Sequence, residues 1–379
     1  MKTLTLMSTA AVAALLAGPV LADIKIGASL SETGPAAFLG DPEAKTLRME
    51  VERLNAAGGV NGEKINLIIY DDGGDANRAK TFATRLVEDD EVVAVIGGTT
   101  TGTTMAMIPV FEDAEIPFIS LAGAVDIIEP VKPFTFKTPH TDRMACEKIF
   151  EDMKARGFSK VGLISGSDGF GQSMQAQCKS VAGDSGIEIV ADEVYGPQDA
   201  DMTPQLTNIN ARGVDAILNS GMGQGPAVVT RNHRQLAISA PLYQSHGVAS
   251  KQFIELAGAD AAEGVRLPAA ALLVADQLAD DDEQKPVVTA YRDAYSAATG
   301  EEVSTFGGHA HDALAILVAA IERAGGADDP VAIRDQIEAT AGFVGTGGKV
   351  NFAPDDHLGL TLDAFRMLEI RGGDWTIVE

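Results

Sequence analysis

The chain has 379 residues, which at about 100–200 residues per domain suggests two domains or three. With 45% hydrophobic and 22% charged residues it has the composition of a globular protein with a sizeable core, which excludes a disordered chain or a membrane bundle. A formal charge of −25 argues against nucleic acid or an anionic lipid surface as partner, and two cysteines are too few for a disulfide scaffold or a Cys-rich zinc site.

Met1-Lys2 is a short basic start, Leu4 to Ala17 an apolar stretch, and Val20-Leu21-Ala22 supplies the small residues of a cleavage point. Pro19 and Asp23 end the run short of the roughly 20 apolar residues of a membrane span. Residues 1–22 are therefore expected to be a signal peptide cut after Ala22, with no cysteine nearby for lipid attachment. From Asp23 onward, short β-branched runs alternate with longer amphipathic ones. Ile24 to Leu30 reads as a strand, Asp41 to Ala57 as a helix stopped by Gly58-Gly59, Ile65 to Asp71 as a strand and Ala76 to Asp89 as a helix. Val92 to Ile96 leads through Gly97-Gly98 to a helix from Thr103 to Ala114, and Pro117 to Leu121 is a fourth strand.

A second series begins near Thr141. Helices are expected at Arg143 to Arg156, Gln172 to Ala182, Pro204 to Ala211 and Gln224 to Leu236, alternating with strands at Lys160 to Ser165, Ile187 to Val194, Val214 to Asn219 and Pro241 to Gln244. Helical patterns follow at Pro286 to Ala298 and Gly308 to Ala324, then a hairpin-like tail of Leu362 to Ile370, Gly372-Gly373 and Trp375 to Val378. The acidic run Asp280 to Glu283 reads as a solvated connector. The expected fold class is α/β: two doubly wound parallel-sheet lobes, with a ligand outside the carboxyl ends of the strands, where the βα loops of both face one cleft.

An extracytoplasmic enzyme is the first rival reading, and its motifs are missing. Gly183-Asp184-Ser185-Gly186 resembles the surroundings of a serine-protease nucleophile but sits at a helix-to-strand turn, and no G-x-S-x-G elbow exists. Gly221-Met222-Gly223-Gln224-Gly225 follows a strand, yet Pro226 stands where a dinucleotide fingerprint needs its third glycine. His309 and His311 lie two apart on a helix and so point to different faces, while His140, His233 and His357 read as isolated surface residues. No catalytic residue, metal ligand or cofactor is expected.

Two loops look built for a ligand. Thr99-Thr100-Thr101-Gly102-Thr103-Thr104 joins a buried strand to a helix start, where hydroxyls and free N–H groups favour a carboxylate; N-capping by one threonine is the plainer alternative. Gly166-Ser167-Asp168-Gly169-Phe170-Gly171 sets a phenylalanine at the top of the second sheet, as a lid against a ligand or as the edge of the core.

At this point the sequence resembles a family. Ser31-Glu32-Thr33-Gly34-Pro35, Gly40, Asn55-Ala56-Ala57-Gly58-Gly59-Val60-Asn61-Gly62, Tyr70-Asp71-Asp72 and Ile96-Gly97-Gly98 are similar to the first lobe of the periplasmic leucine/isoleucine/valine-binding proteins, substrate receptors of ABC transporters. Phe170-Gly171, Asp199 to Gln205, Gly213 to Ile217 and Gly247-Val248 continue the likeness. It implies two lobes joined by three crossovers: residues 23–141 plus 270–345, and 142–269 plus 346–379. It implies ligand contacts at Leu39, Thr99, Thr100, Thr101, Ala122, Gly123 and Ala124 in the first lobe, Phe170, Met222 and His246 in the second, and Phe306 closing the pocket. It implies a periplasmic, monomeric receptor without cofactor, partnered by an inner-membrane ABC permease, or else the ligand-presenting subunit of a sensory receptor.

Several positions depart from that pattern. His246 stands where these receptors offer an acid to the ligand's ammonium, with Asp168 or Asp126 as possible substitutes, and Ala124 replaces a usual hydroxyl. Gly74 and Thr100 stand where the first-lobe disulfide would be. A carboxylate cradle facing Leu39, Phe170, Met222 and Phe306 favours a hydrophobic organic acid without an α-amino group, an aromatic or branched oxo or hydroxy acid, over a branched-chain amino acid. Cys146 and Cys178 fall on the helices flanking the first strand of the second series. They can bridge if these helices share a face and their Cα atoms lie within about 7 Å, and otherwise remain buried thiols.

Overall fold

The computed structural model describes residues 23–378, so the expected signal peptide lies outside the described residues. The first series forms β1 (Ile24–Leu30), α1 (Ala37–Ala56), β2 (Ile65–Asp71), α2 (Ala76–Glu88), β3 (Ala94–Gly97), α3 (Thr101–Asp113), β4 (Phe118–Ser120) and β5 (Thr135–Lys137). The second forms α4 (Asp142–Ala155), β6 (Lys160–Gly166), α5 (Gly169–Ala182), β7 (Glu188–Tyr195), α6 (Thr203–Asn210), β8 (Ala216–Ser220), α7 (Gly225–Gln235) and β9 (Leu242–Gln244). Then follow α8 (Lys251–Ala257), α9 (Ala259–Ala262), β10 (Arg266–Ala269), α10 (Lys285–Thr299), α11 (Thr305–Ala324), α12 (Pro330–Glu338), β11 (Phe343–Val344), β12 (Lys349–Val350), β13 (Arg366–Arg371) and β14 (Asp374–Ile377).

Two sheets result. The first is parallel throughout, in the order β2-β1-β3-β4-β5, with β1 shared between β2 and β3 so that Ile26 lies opposite both Leu67 and Ala94. The second runs β14-β13-β10-β9-β8-β6-β7, parallel from β10 to β7 and closed by the antiparallel β13-β14 hairpin. In each sheet the order reverses once, at β1/β3 and at β6/β8, and the loops leaving those strands diverge to open a crevice. The turn after β3 depends on glycine: Gly98 has φ of 70°, and a Cβ there would sit 2.2 Å from Thr104 Oγ1.

The chain passes between the lobes three times: after β5, after β10 and before β13. The last passage comes later than the sequence suggested. Val350, Phe352, Leu358, Leu360 and Ala364 belong to the first core; Leu362 touches the second, and Phe365 is the first of the strap's side chains to be buried in it. Residues 346–364 therefore pack with the first lobe, held by Phe352 N–H donating to Thr340 O at 2.9 Å and by His357 Nδ1 at 2.8 Å from Thr135 O. His357, read from sequence as a surface residue, is fully buried by this strap. Cys146 on α4 and Cys178 on α5 are bridged, with Cα atoms 5.1 Å apart. The two helices share one face of the second sheet, which spacing along the chain did not reveal.

Candidate functional site

The crevice between the lobes holds a cavity of about 40 Å³. Its first-lobe wall is Leu39 of α1, Thr99 to Thr101 before and at the start of α3, Leu121 and Gly123 after β4, and Phe306 and His309 of α11. Its second-lobe wall is Phe170, Met222, His246 and Gly247, and Pro139 of the first crossover completes it. Nine of the expected site residues thus meet here: Leu39, Thr99, Thr100, Thr101, Gly123, Phe170, Met222, His246 and Phe306. Ala122 and Ala124 do not. In the extended segment 121–124 side chains alternate, so both alanines turn into the first core while Gly123 faces the cleft.

The threonine run is mostly engaged within its own lobe. Thr99 Oγ1 accepts from Ser31 N–H at 3.0 Å and donates to Glu43 Oε2 at 2.5 Å. Thr100 is the N-cap of α3 and forms a reciprocal capping box with Thr103, and Thr104 Oγ1 donates to Gly98 O at 2.8 Å. Capping and turn bonding therefore account for four of the five threonines, more than the sequence reading allowed. Thr101 is the exception: its Oγ1 is buried without a partner, and it occupies the first turn of α3, whose opening N–H groups have no intrahelical acceptor.

Across the cleft, α5 begins at Gly169 rather than at Gln172, so Phe170 lies in the first helical turn and not in a loop. Asp168 caps that turn, accepting from Phe170 N–H at 3.0 Å and Gly171 N–H at 3.2 Å. Phe170 serves both expected roles, since it belongs to the second-lobe core and also lines the cavity. A Cβ on Gly169 would lie 3.5 Å from the Gly102 nitrogen, so the starts of α3 and α5 abut. The start of α3 carries a partial positive charge, whereas at α5 the Asp168 carboxylate offsets it. Gly123 is the tightest point of this approach: a Cβ there would come within 2.9 Å of Phe170 Cε2 and 3.1 Å of His246 Nε2.

Among the described residues, no Asp or Glu lines the cavity. Asp126 is exposed and Asp168 is committed to its cap, so neither substitutes for an ammonium partner. Glu43, behind Thr99, is fully buried, and burial pushes its carboxyl well above the usual carboxylate range. The imidazoles are held neutral. Burial, then the nearby Lys137 and His309, bring His246 down to about 3, and burial likewise brings His140 down to about 3. Lys137, wholly buried at the end of β5, is itself lowered to about 7 by burial.

Four lining residues escaped the sequence reading: Leu121, Pro139, Gly247 and His309. A signal existed for His309, which follows Phe306 by one helical turn and shares its face. His140 was expected at the surface; it is buried, stacked on Phe365 with centroids 3.9 Å apart. His233 is half-buried, its Nε2 at 2.8 Å from Ala240 O. His309 and His311 do point apart, His311 Nδ1 lying 2.9 Å from Glu50 Oε1.

A family model for periplasmic binding proteins matches residues 23–374. A leucine-, isoleucine-, valine-, threonine- and alanine-binding protein of Pseudomonas aeruginosa is 27% identical over 90% of this chain and 89% of its own length. The Leu/Ile/Val-binding protein BraC3 of Rhizobium johnstonii is 25% identical over 98% of each. Among solved structures, an extracellular ligand-binding receptor from Rhodopseudomonas palustris superposes with a TM-score of 0.88 at 29% identity, over 94% of this chain and 100% of that one. The substrate-binding protein LivJ of the Streptococcus pneumoniae branched-chain amino acid transporter, in complex with isoleucine, gives 0.83 at 26% identity, over 94% and 99%. With two α/β lobes, three crossovers and a cavity between them, the chain belongs to the periplasmic binding protein family.

Proposed function

We propose that this protein is a non-catalytic periplasmic receptor that captures a small carboxylic acid lacking an α-ammonium group and hands it to an inner-membrane ABC permease. The observation that carries this reading is the chemistry of the cavity wall, which offers a hydroxyl, a helix start and neutral imidazoles but no carboxylate. The acid's carboxylate sits at Thr101 and the first N–H groups of α3, where backbone donors supply the attraction and the hydroxyl sets geometry. A ligand held at α3 that also touches the second-lobe wall favours the closed arrangement over an open one by its differential affinity. Leu39, Phe170, Met222 and Phe306 receive the apolar part. An ammonium would face His246 as a neutral ring and find no negative partner.

The names of the relatives favour the second reading, a branched-chain amino acid, and one screen separates the two. Thermal shifts are measured with leucine, isoleucine and valine beside their 2-oxo analogues and benzoate, because a bound ligand raises the unfolding midpoint by mass action. Stabilisation by the acids is expected. Stabilisation by the amino acids alone overturns the proposal.

A further inference from the structure

Two imidazoles line the cavity from opposite sides, and neither ring makes a well-formed hydrogen bond among the described residues. His309 comes from α11 in the first lobe, and His246 from the short 3-10 turn His246–Val248 in the second. Both are more than nine-tenths buried, at 5% and 8% exposure, and the Nδ1 of each is an unpartnered buried atom. The His140 carbonyl lies near His246 without reaching hydrogen-bond geometry. Nε2 of His246 is turned toward Gly123, itself part of the cavity wall. His309 Nδ1 lies near Gly347, behind the wall. Two imidazole rings and the unpartnered Thr101 hydroxyl on the wall of one cavity suit a polar occupant.

The chemistry of that occupant follows from the state of the rings. A neutral imidazole has one donor and one acceptor nitrogen and no charge with which to hold a second carboxylate. No group of three or more His, Cys, Asp or Glu among the described residues is placed to hold a metal ion. His140 is closed off by its stack on Phe365 and leaves the two cavity imidazoles as the available partners. A hydroxyl or keto oxygen suits them: a hydroxyl can donate to one ring and accept from the other, and a keto oxygen can accept from either or both.

We propose that the acid bound in this cleft carries a second, uncharged hydrogen-bonding group, a hydroxyl or keto oxygen, and that His246 and His309 select for it. This rests on the carboxylic-acid reading above and narrows it. Because the two residues belong to different lobes, the second group bridges the cleft and adds to the preference for the closed state. A site built to pair a polar group penalises the analogue that lacks it, since its own buried atoms are then left unpaired.

The test is calorimetric titration with two matched sets: 4-methylpentanoate with its 2-hydroxy and 2-oxo derivatives, and benzoate with 3-hydroxy- and 4-hydroxybenzoate. At least one substituted acid is expected to bind about tenfold or more tighter than its parent. That ratio is expected to shrink to about threefold or less in His309→Leu and in His246→Phe, and to be partly kept in His309→Gln, which retains hydrogen-bonding capacity. Parent acids binding as tightly as their derivatives, or a ratio that survives in both histidine variants, overturns the inference while leaving the carboxylic-acid reading intact. Binding of leucine with no binding by any of the six acids overturns both. Should one variant fail to fold by circular dichroism, the wild-type ratio and the other histidine variant still decide.

Discussion

In the first lobe the strand that ends at Gly97 hands over to a threonine-capped helix start, whereas in the second the strand that ends at Ser220 hands over to Gly221 and Met222. The topological position is the same, beside the reversal of strand order, but the chemistry differs. The first lobe sets hydroxyl and N–H donors beside Leu39 and Phe306 at the cleft, and the second offers Phe170, Met222 and a neutral His246. The lobes differ in reinforcement too, since α4 and α5 of the second are cross-linked and the first lobe has no disulfide among its described residues. Neither half makes a site alone. Gly123 stands where the two walls approach each other.

The largest effect expected from breaking this asymmetry is on stability. Replacing Cys146 and Cys178 by serine opens a crosslink spanning 32 residues, and loop-closure entropy puts the loss at about 3–4 kcal/mol. Urea unfolding should show it, with ligand affinity changed far less, because neither cysteine lines the cavity. Retained stability in the double variant would show that the α4–α5 packing suffices without the crosslink.

Gly123→Val attacks the meeting of the lobes. Its side chain would overlap Phe170 and His246, each already near the limit for a Cβ. Overpacking of this kind costs about 1–3 kcal/mol, so ligand binding should weaken by about 5- to 150-fold. The melting midpoint without ligand should move little, since the lobes can stay apart; a variant that binds normally would mean that closure does not pass through this contact.

Thr101→Val sharpens the contrast between the lobes by removing a hydroxyl donor and keeping the shape. A loss of about 1–3 kcal/mol in binding is expected, because a charged acceptor loses a partner in a desolvated site. Thr99→Val instead frees Glu43 and Ser31 from their hydrogen bonds, and its larger effect should appear in stability. Equal effects of the two substitutions on binding would remove the distinction drawn here between an engaged and an available threonine.

The smallest effect concerns pH. In the unfolded chain an imidazole takes up a proton near its ordinary value of 6.5, whereas in the fold burial holds His140 and His246 to about 3. Between those values the unfolded state binds more protons, so stability falls as pH drops from 6.5 toward 3. His140→Phe keeps the stack on Phe365 and should flatten the decline between about pH 6.5 and 5.5 by about 1 kcal/mol. An unchanged slope would assign acid sensitivity to other groups.

Much of the fold could be read from the chain because alternation of β-branched runs with amphipathic ones is a local property, and β1, β2 and β6 begin where it placed them. Among the elements it missed, β5 has three residues and β10 four, including Pro268, too few to carry a period, while α8 and α12, of seven and nine residues, were missed as well. The site was legible where a family-like motif and a chain turn coincided, as at Thr99 to Thr101 and Phe170. It was misjudged where a residue's role depends on the direction of its side chain, as with Ala122 and Ala124, which face the core, and with the threonines, most of which cap or brace their own lobe.

Composition, periodicity and the order of motifs determined by themselves that two α/β lobes would face one cleft, because strand and helix formation answer to residues a few positions apart. Only the tertiary structure decided that Cys146 meets Cys178, that His309 joins His246 at one cavity, that His140 and His357 are buried, and that residues 346–364 stay with the first lobe. Each of these depends on which face of a sheet or helix turns toward a segment far along the chain, and neither spacing nor local propensity encodes that choice.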